Sequence, residues 1–300
     1  MGVLAWPFAA SAMGLTVTRL SAACVPVSRI LPLSPPLPVE ARQRLPDSQP
    51  TAGQRDLGWV WLGEPTRRYP HRALGSGVHA GSVFAQVRDG RGGWRILEKS
   101  LPWDRVYEDR VPRVLDIDQD GNEEILVIEA DALRGAALVV LGKEETPQGL
   151  QLVELARGPF AGSTFRWMNP IGVADFDGDG RADLANVVTP HIGGVLQLLH
   201  YRPPLLVPFA KALDVSNHRM GALEQDLSVI VTEPGQRPVI LVPDMSLRAL
   251  HALRWDAPGK WTELADLKPL TGPIEQMLPL PEGACVTLTD GSAWRVRLTP

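Results

Sequence analysis

Apolar residues in this chain come in short blocks punctuated by turns. "EILVIEA" (124–130), "AALVVLG" (136–142) and "LQLVELA" (150–156) follow one another, and "DLANVV" (183–188), "GVLQLLHY" (194–201) and "LLVPFAKAL" (205–213) repeat the succession. A third set reads "VILV" (239–242), "LRALHALRW" (247–255) and "KWTELADL" (260–267). Blocks of this length, rich in Val, Ile and Leu and bounded by turn residues, predict β-strands. No long stretch carries apolar residues at the three- and four-residue intervals of a helix. The pattern predicts an all-β chain, and the 28 Gly and 28 Pro supply its turns.

The blocks belong to a repeat. "VLDIDQDGNEEILVIEA" (114–130) aligns with "VADFDGDGRADLANVV" (173–188), setting Asp116 over Asp175, Asp118 over Asp177, Asp120 over Asp179 and Glu124 over Asp183. The turn glycines Gly121 and Gly180 are 59 residues apart, and Gly235 in "TEPGQRPVILVPD" follows 55 residues later. In that third unit the loop positions are Ile230, Thr232, Pro234 and Pro238, so the carboxylates are gone and the glycine remains. "SVFAQVRDGRGGWRILEKSLP" (82–102) resembles the last two strands of a unit, and "PEGACVTLTDGSAWRVRL" (281–298) is a partial one. Four short strands in roughly 55 residues make one propeller blade. Residues 56–300 therefore predict a β-propeller of about five four-stranded blades, the incomplete first and last units sharing a blade so that no sheet edge stays open. Trp94, Trp261 and Trp294 fall in the last strand-like run of their units, where they would fill space between blades.

The acidic ladders need a reason. Like charges about 4 Å apart at an effective dielectric near 20 repel by roughly 4 kcal/mol per pair. D-x-D-x-D-G-x-x-[DE] has the logic of a calcium loop: alternate carboxylates converge, the glycine permits the sharp turn, and a last carboxylate closes the shell. Hard oxygen donors in that number favour Ca²⁺. The ligands would be Asp116, Asp118, Asp120 and Glu124 with the Asn122 carbonyl, and Asp175, Asp177, Asp179 and Asp183 with the Arg181 carbonyl. An EF-hand would need a Glu at the twelfth position, where Val127 and Asn186 stand, and flanking helices. "IGVADFDGDGRADLANVV" and "VPRVLDIDQDGNEEILVIEA" instead resemble the FG-GAP/VCBS repeats of integrin-type and bacterial secreted β-propellers. The resemblance is complete in two of the five expected units. It implies at most two structural calcium ions and says little about the partner.

Residues 1–24 read as a signal peptide: an uncharged apolar run with small residues in "SAAC" at 21–24, although no basic residue precedes it and Pro7 interrupts it. A lipid anchor at Cys24 is the weaker reading, since Ser21 stands where Leu is usual. Residues 25–55, Pro-rich and aperiodic, predict an extended linker. The expected location is extracytoplasmic: periplasmic, secreted or associated with the outer membrane. No segment is apolar enough to span a bilayer. Cys24 and Cys285 are the only cysteines, too few for a disulfide scaffold, and the net charge of −4 argues against nucleic acid.

Catalytic signatures are missing. "GSGVHA" (75–80) fits a dinucleotide glycine pattern but lacks the preceding strand and following helix, so it reads as a turn. His79, His191 and His218 fall in expected loops and read as separate structural residues, the lesser alternative being a joint metal or catalytic site gathered at one face of the propeller, and Asp104, Glu108 and Asp109 in "WDRVYEDR" read as a charged surface loop. The chain is expected to be a non-catalytic protein- or glycan-binding module. The alternatives are a polysaccharide hydrolase or lyase with its site in the central channel, and a periplasmic assembly scaffold.

Overall fold

In the computed structural model, which describes residues 14–25, 35–89, 92–257, 259–267 and 270–299, the chain runs as five successive antiparallel meanders. It opens with β1 (Gly14–Arg19). The first meander is β2 (Thr51–Ala52), β3 (Leu57–Thr66), β4 (His79–Arg88) and β5 (Trp94–Ser100). In the second, β6 (Arg105–Tyr107) and β7 (Arg113–Leu115) both pair with β8 (Glu124–Asp131), followed by β9 (Gly135–Thr146) and β10 (Gly149–Arg157). The third is β11 (Met168–Ala174), β12 (Asp183–Val188), β13 (Val195–Arg202) and β14 (Leu205–Leu213). The fourth is β15 (Val229–Val231), β16 (Val239–Pro243), β17 (Leu250–Ala257) and β18 (Lys260–Leu267). The fifth is β19 (Ile274–Leu280), β20 (Gly283–Leu288) and β21 (Ala293–Thr299), and its fourth strand is β1.

Burial explains why the strands differ in sequence. Each residue of β8 is buried, as is each residue of β16, because both faces of a second strand are covered by neighbouring meanders. Such strands read as continuous apolar runs. Fourth strands such as β14 alternate between exposed and covered residues. Each successive pair of meanders encloses its own apolar cluster. Val60, Val83 and Val127 lie between the first two, Leu138, Leu184 and Leu199 between the second and third, Leu198, Ile240 and Trp255 between the third and fourth, and Val239, Met277 and Val286 between the last two. Trp261 crosses from β18 to donate to Lys211 O at 2.8 Å, and Trp294 packs on the last cluster, as gap-filling aromatics should. Trp94 instead lies under the Arg88 guanidinium.

Three expectations change. The strand that completes the last meander is β1, inside the stretch read as a leader, while the first meander is complete by itself. Residues 1–13 of that stretch lie outside the described residues. Cys24 forms a disulfide with Cys285 in β20, which consumes the thiol that a lipid anchor would need. Second, the expected linker from Pro35 onward packs on the first meander: Ala41 and Leu45 are fully buried, Leu45 N donates to Leu62 O, and Trp59 Nε1 donates to Pro35 O. Its portion 26–34 lies outside the described residues. Third, Glu108 and Asp109, in the segment that joins β6 to β7, are fully buried, and Asp104 is half-buried. Among the described residues no helix is long and apolar enough to cross a membrane.

Candidate metal centre

Both acidic ladders are the turn between the inner two strands of a meander, 116–123 between β7 and β8 and 175–182 between β11 and β12. Ile117 and Phe176, each 1% exposed, anchor the two turns in neighbouring apolar clusters. The carboxylates then fold the backbone in the same way twice. Glu124 Oε2 accepts from Ile117 N at 2.8 Å, and Asp183 Oδ2 from Phe176 N at 3.2 Å. Asp116 Oδ2 accepts from Gly121 N and Asp175 Oδ2 from Gly180 N, at 3.2 and 2.9 Å. Asp118 Oδ1 accepts from Asp120 N as Asp177 Oδ1 does from Asp179 N, and Asp120 Oδ1 from Asn122 N as Asp179 Oδ1 does from Arg181 N. Four bonds match position for position, so the alignment made on sequence is also an alignment of loop geometry.

The remaining oxygens converge. Ligand atoms of Asp116, Asp118 and Glu124 lie within 4.8 Å of one another, as do those of Asp175, Asp177 and Asp179, and those of Asp177, Asp183 and His200. Asp120 and Asn122 stay at the rim of the first loop, where the Asn122 amide bonds Asp120 and accepts from Lys143. Asp116 is the informative residue. Its side chain is 7% exposed, Oδ2 meets Arg55 and Gly121 N, and Oδ1 is buried with no hydrogen-bond donor among the described residues. A buried carboxylate oxygen without a partner is costly, and a hard cation shared with Asp118 and Glu124 would satisfy it. Burial first, and then the neighbouring carboxylates, raise the Glu124 carboxyl to about 7 against the pull of the Ile117 N–H.

The second loop differs in its neutralising groups. His200 Nδ1 lies 2.9 Å from Asp183 Oδ1, its Nε2 is 4.0 Å from Asp177, and Arg202 reaches Asp179 at 3.1 Å. Burial raises the Asp183 carboxyl and His200 lowers it. Asp179 is held below the ordinary range, chiefly by the Arg181 N–H. The β12–β13 register sets His200 opposite Asp183, whereas Gly142 follows the Ile125–Leu141 pair in the earlier hairpin. The two loops flank one cleft of about 330 Å³, lined by Asp118 and Gln119 on one side and Gly180, Arg181, Tyr201 and Arg202 on the other.

No protein-family model and no curated protein matches the chain. The site therefore rests on its own geometry.

Residues that the sequence reading passed over complete it. Glu123, in the place of Ala182, is buried and accepts from Gln54 N and Arg55 N, which ties the first loop to the first meander. Arg55, His200 and Arg202 supply partners to the carboxylates, and of these only His200 has a local signal, its place opposite Asp183 once the hairpin register is fixed. Four histidines, His71, His79, His191 and His218, lie toward the other end of the strands. His191 Nε2 and His218 Nδ1 are 2.8 Å apart, and Trp167 stacks on His191. His79, buried at the start of β4 and not in a loop, bonds His71 O, while His71 bonds Glu108 at 2.6 Å. His191 and His218 pair ring to ring, and His79 reaches His71 through its backbone carbonyl.

Proposed function

We propose that the five meanders close into a five-bladed β-propeller of the FG-GAP/VCBS type. In this reading the protein is exported, its two acidic loops hold structural Ca²⁺, and it serves as a non-catalytic module that binds a protein or a glycan. The observation that carries the calcium reading is the pair of loops with one bonding pattern, and within it the partnerless buried oxygen of Asp116. Asp116, Asp118, Asp120, Glu124 and the Asn122 carbonyl would hold one ion. Asp175, Asp177, Asp179, Asp183 and the Arg181 carbonyl would hold the other. Calcium would cancel carboxylate repulsion and fasten each inner strand to the next. Support for the ring comes from the shared apolar clusters and from a last meander built of both ends of the chain, which removes an open edge. The Cys24–Cys285 disulfide supports an oxidising compartment.

The test strips the full chain with EDTA and titrates calcium by calorimetry, with thermal melts alongside. Two ions should bind and the melting temperature should rise, each site contributing about 2.7 kcal/mol once free calcium reaches a hundred times its Kd. D116N with D118N should abolish one site, and D175N with D177N the other. No bound ion together with an unchanged melt would sink the calcium reading.

A further inference from the structure

The two acidic loops fold alike, yet they differ in what stands opposite the last carboxylate. In the first, Asp116, Asp118 and Glu124 converge, and every donor of that group is an oxygen. The Asp116 side chain is 7% exposed, and its Oδ1 has no hydrogen-bond donor among the described residues, so this loop points to a cation through oxygen alone. Gly142 follows Leu141, the partner of Ile125, and so takes the place opposite Glu124, where glycine brings no further donor. In the second loop that place belongs to His200, which pairs with Asp183 across β12 and β13.

The imidazole of His200 is fixed in position. It stacks on Phe209 of β14 with centroids 4.0 Å apart and planes 12° from parallel, and Trp255 packs edge-on against Phe209. Nδ1 lies 2.9 Å from Oδ1 of Asp183, whose side chain is fully buried. A carboxylate only accepts, so Nδ1 carries the proton of the neutral ring and Nε2 keeps its lone pair. Nε2 is 4.0 Å from Asp177 Oδ2. Two acceptors stand there with no proton between them, too far apart for a hydrogen bond. Two ligands about 2.1 Å from one tetrahedral ion are about 3.4 Å apart, so a shift of about 0.6 Å would let both atoms bind a shared ion. A carboxylate that holds one nitrogen of the ring is also how proteins orient a histidine whose other nitrogen ligates a metal. Ligand atoms of Asp177, Asp183 and His200 lie within 4.8 Å of one another, and Asp177 belongs as well to the group with Asp175 and Asp179.

We propose that the two loops differ in metal: the first is an oxygen site for calcium, and the second, through His200 Nε2 and Asp177, is a mixed nitrogen–oxygen site that prefers a borderline divalent ion of the zinc class. Imidazole suits zinc, whereas calcium takes oxygen. His200 sits on β13, so such an ion ties the second loop to the third strand of its meander. Calcium enters this loop when no ion of that class is present. The inference rests on the metal-loop half of the proposed function and is independent of what the protein binds.

The experiment uses the full chain, stripped with EDTA and dialysed free of it. Zn²⁺ is titrated by calorimetry with and without saturating calcium, and the histidine nitrogens are followed by NMR. One Zn²⁺ per chain should bind at least about tenfold more tightly than Ca²⁺, shift the nitrogens of one imidazole, and leave one Ca²⁺ bound beside it. H200Q should remove that shift and weaken Zn²⁺ at least about tenfold while calcium still binds, and D116N with D118N should spare the zinc. The melting temperature of each variant in EDTA is checked first, and D177N takes the place of H200Q if the latter fails to fold. Calcium binding without zinc, or zinc binding that neither H200Q nor D177N weakens, would overturn the difference between the loops and leave the calcium reading standing. Binding of neither ion would overturn both.

Discussion

Gln119 and Gly178 occupy the same place in the two acidic loops, with φ of 63° and 75°. The turn demands the left-handed region from whichever residue stands there, and only glycine enters it without strain from a Cβ. Gln119→Gly should therefore stabilise the chain by up to about 1 kcal/mol, and Gly178→Ala should cost about as much. A Cβ at Gly178 meets nothing closer than Arg237 at 3.4 Å, so the cost would be conformational and not steric. Denaturant midpoints in EDTA read the effect without any bound cation, and an unchanged or lower midpoint for Gln119→Gly would contradict the loop equivalence. At this scale the carboxylates were legible because the ladder is local: spacing along nine residues, Asp116 to Glu124, fixes which oxygens meet. Arg55 and Glu123 were not, because they join the first loop to a turn some 65 residues earlier in the chain, and nothing local announces that pairing.

Strands β8, β12 and β16 announce themselves as apolar runs because both their faces are covered, and the hairpins that follow each keep one register. β1 did not stand out as a strand for a physical reason. "GLTVTR" is a short uncharged run ending in Arg near the N-terminus, and the same side chains suit a leader or an edge strand, the difference lying in β21 at the far end of the chain. The Pro-rich stretch hid its two buried anchors, Ala41 and Leu45, in a polar context with no period to expose them. The disulfide bears on β1 directly. Six residue pairs join β1 to β21, and Cys24, five residues beyond β1, is covalently held to β20. A crosslink between residues 261 apart restricts the unfolded chain strongly. C24S with C285S should cost about 2–4 kcal/mol and speed amide exchange across residues 14–19 well before the other meanders open. Equal exchange in the two proteins would show that pairing with β21 alone holds the strand.

Across the whole molecule, buried polar groups from several meanders bond to one another away from the ladders. Asn169 donates to the carbonyls of Asn217 and Gln225, Gln225 Nε2 returns to Asn169 Oδ1, and Arg110 N donates to Gln225 Oε1. Buried too are His79, His191 and His218, lowered by burial to about 4, 4 and 3 respectively. In the folded chain these imidazoles are neutral at pH 6, while in the unfolded chain they take up protons below about 6.5. The unfolded state thus binds more protons between about pH 6.5 and 4, and stability must fall as the pH drops through that window. For His79, fully buried, the loss amounts to about 3 kcal/mol. Glu108 works the other way: burial raises its carboxyl, so its contribution is greatest in acid and declines as the pH rises. Glu124, Asp183 and Asp226, raised by burial as well, act in the same sense as Glu108, so the histidine part is read as the difference in the pH slope of denaturant unfolding between the parent chain and a histidine variant. His218→Asn should reduce the slope while lowering stability at pH 7, where its contacts with Trp167 and His191 are lost. A slope unchanged by that substitution would contradict a buried, neutral His218.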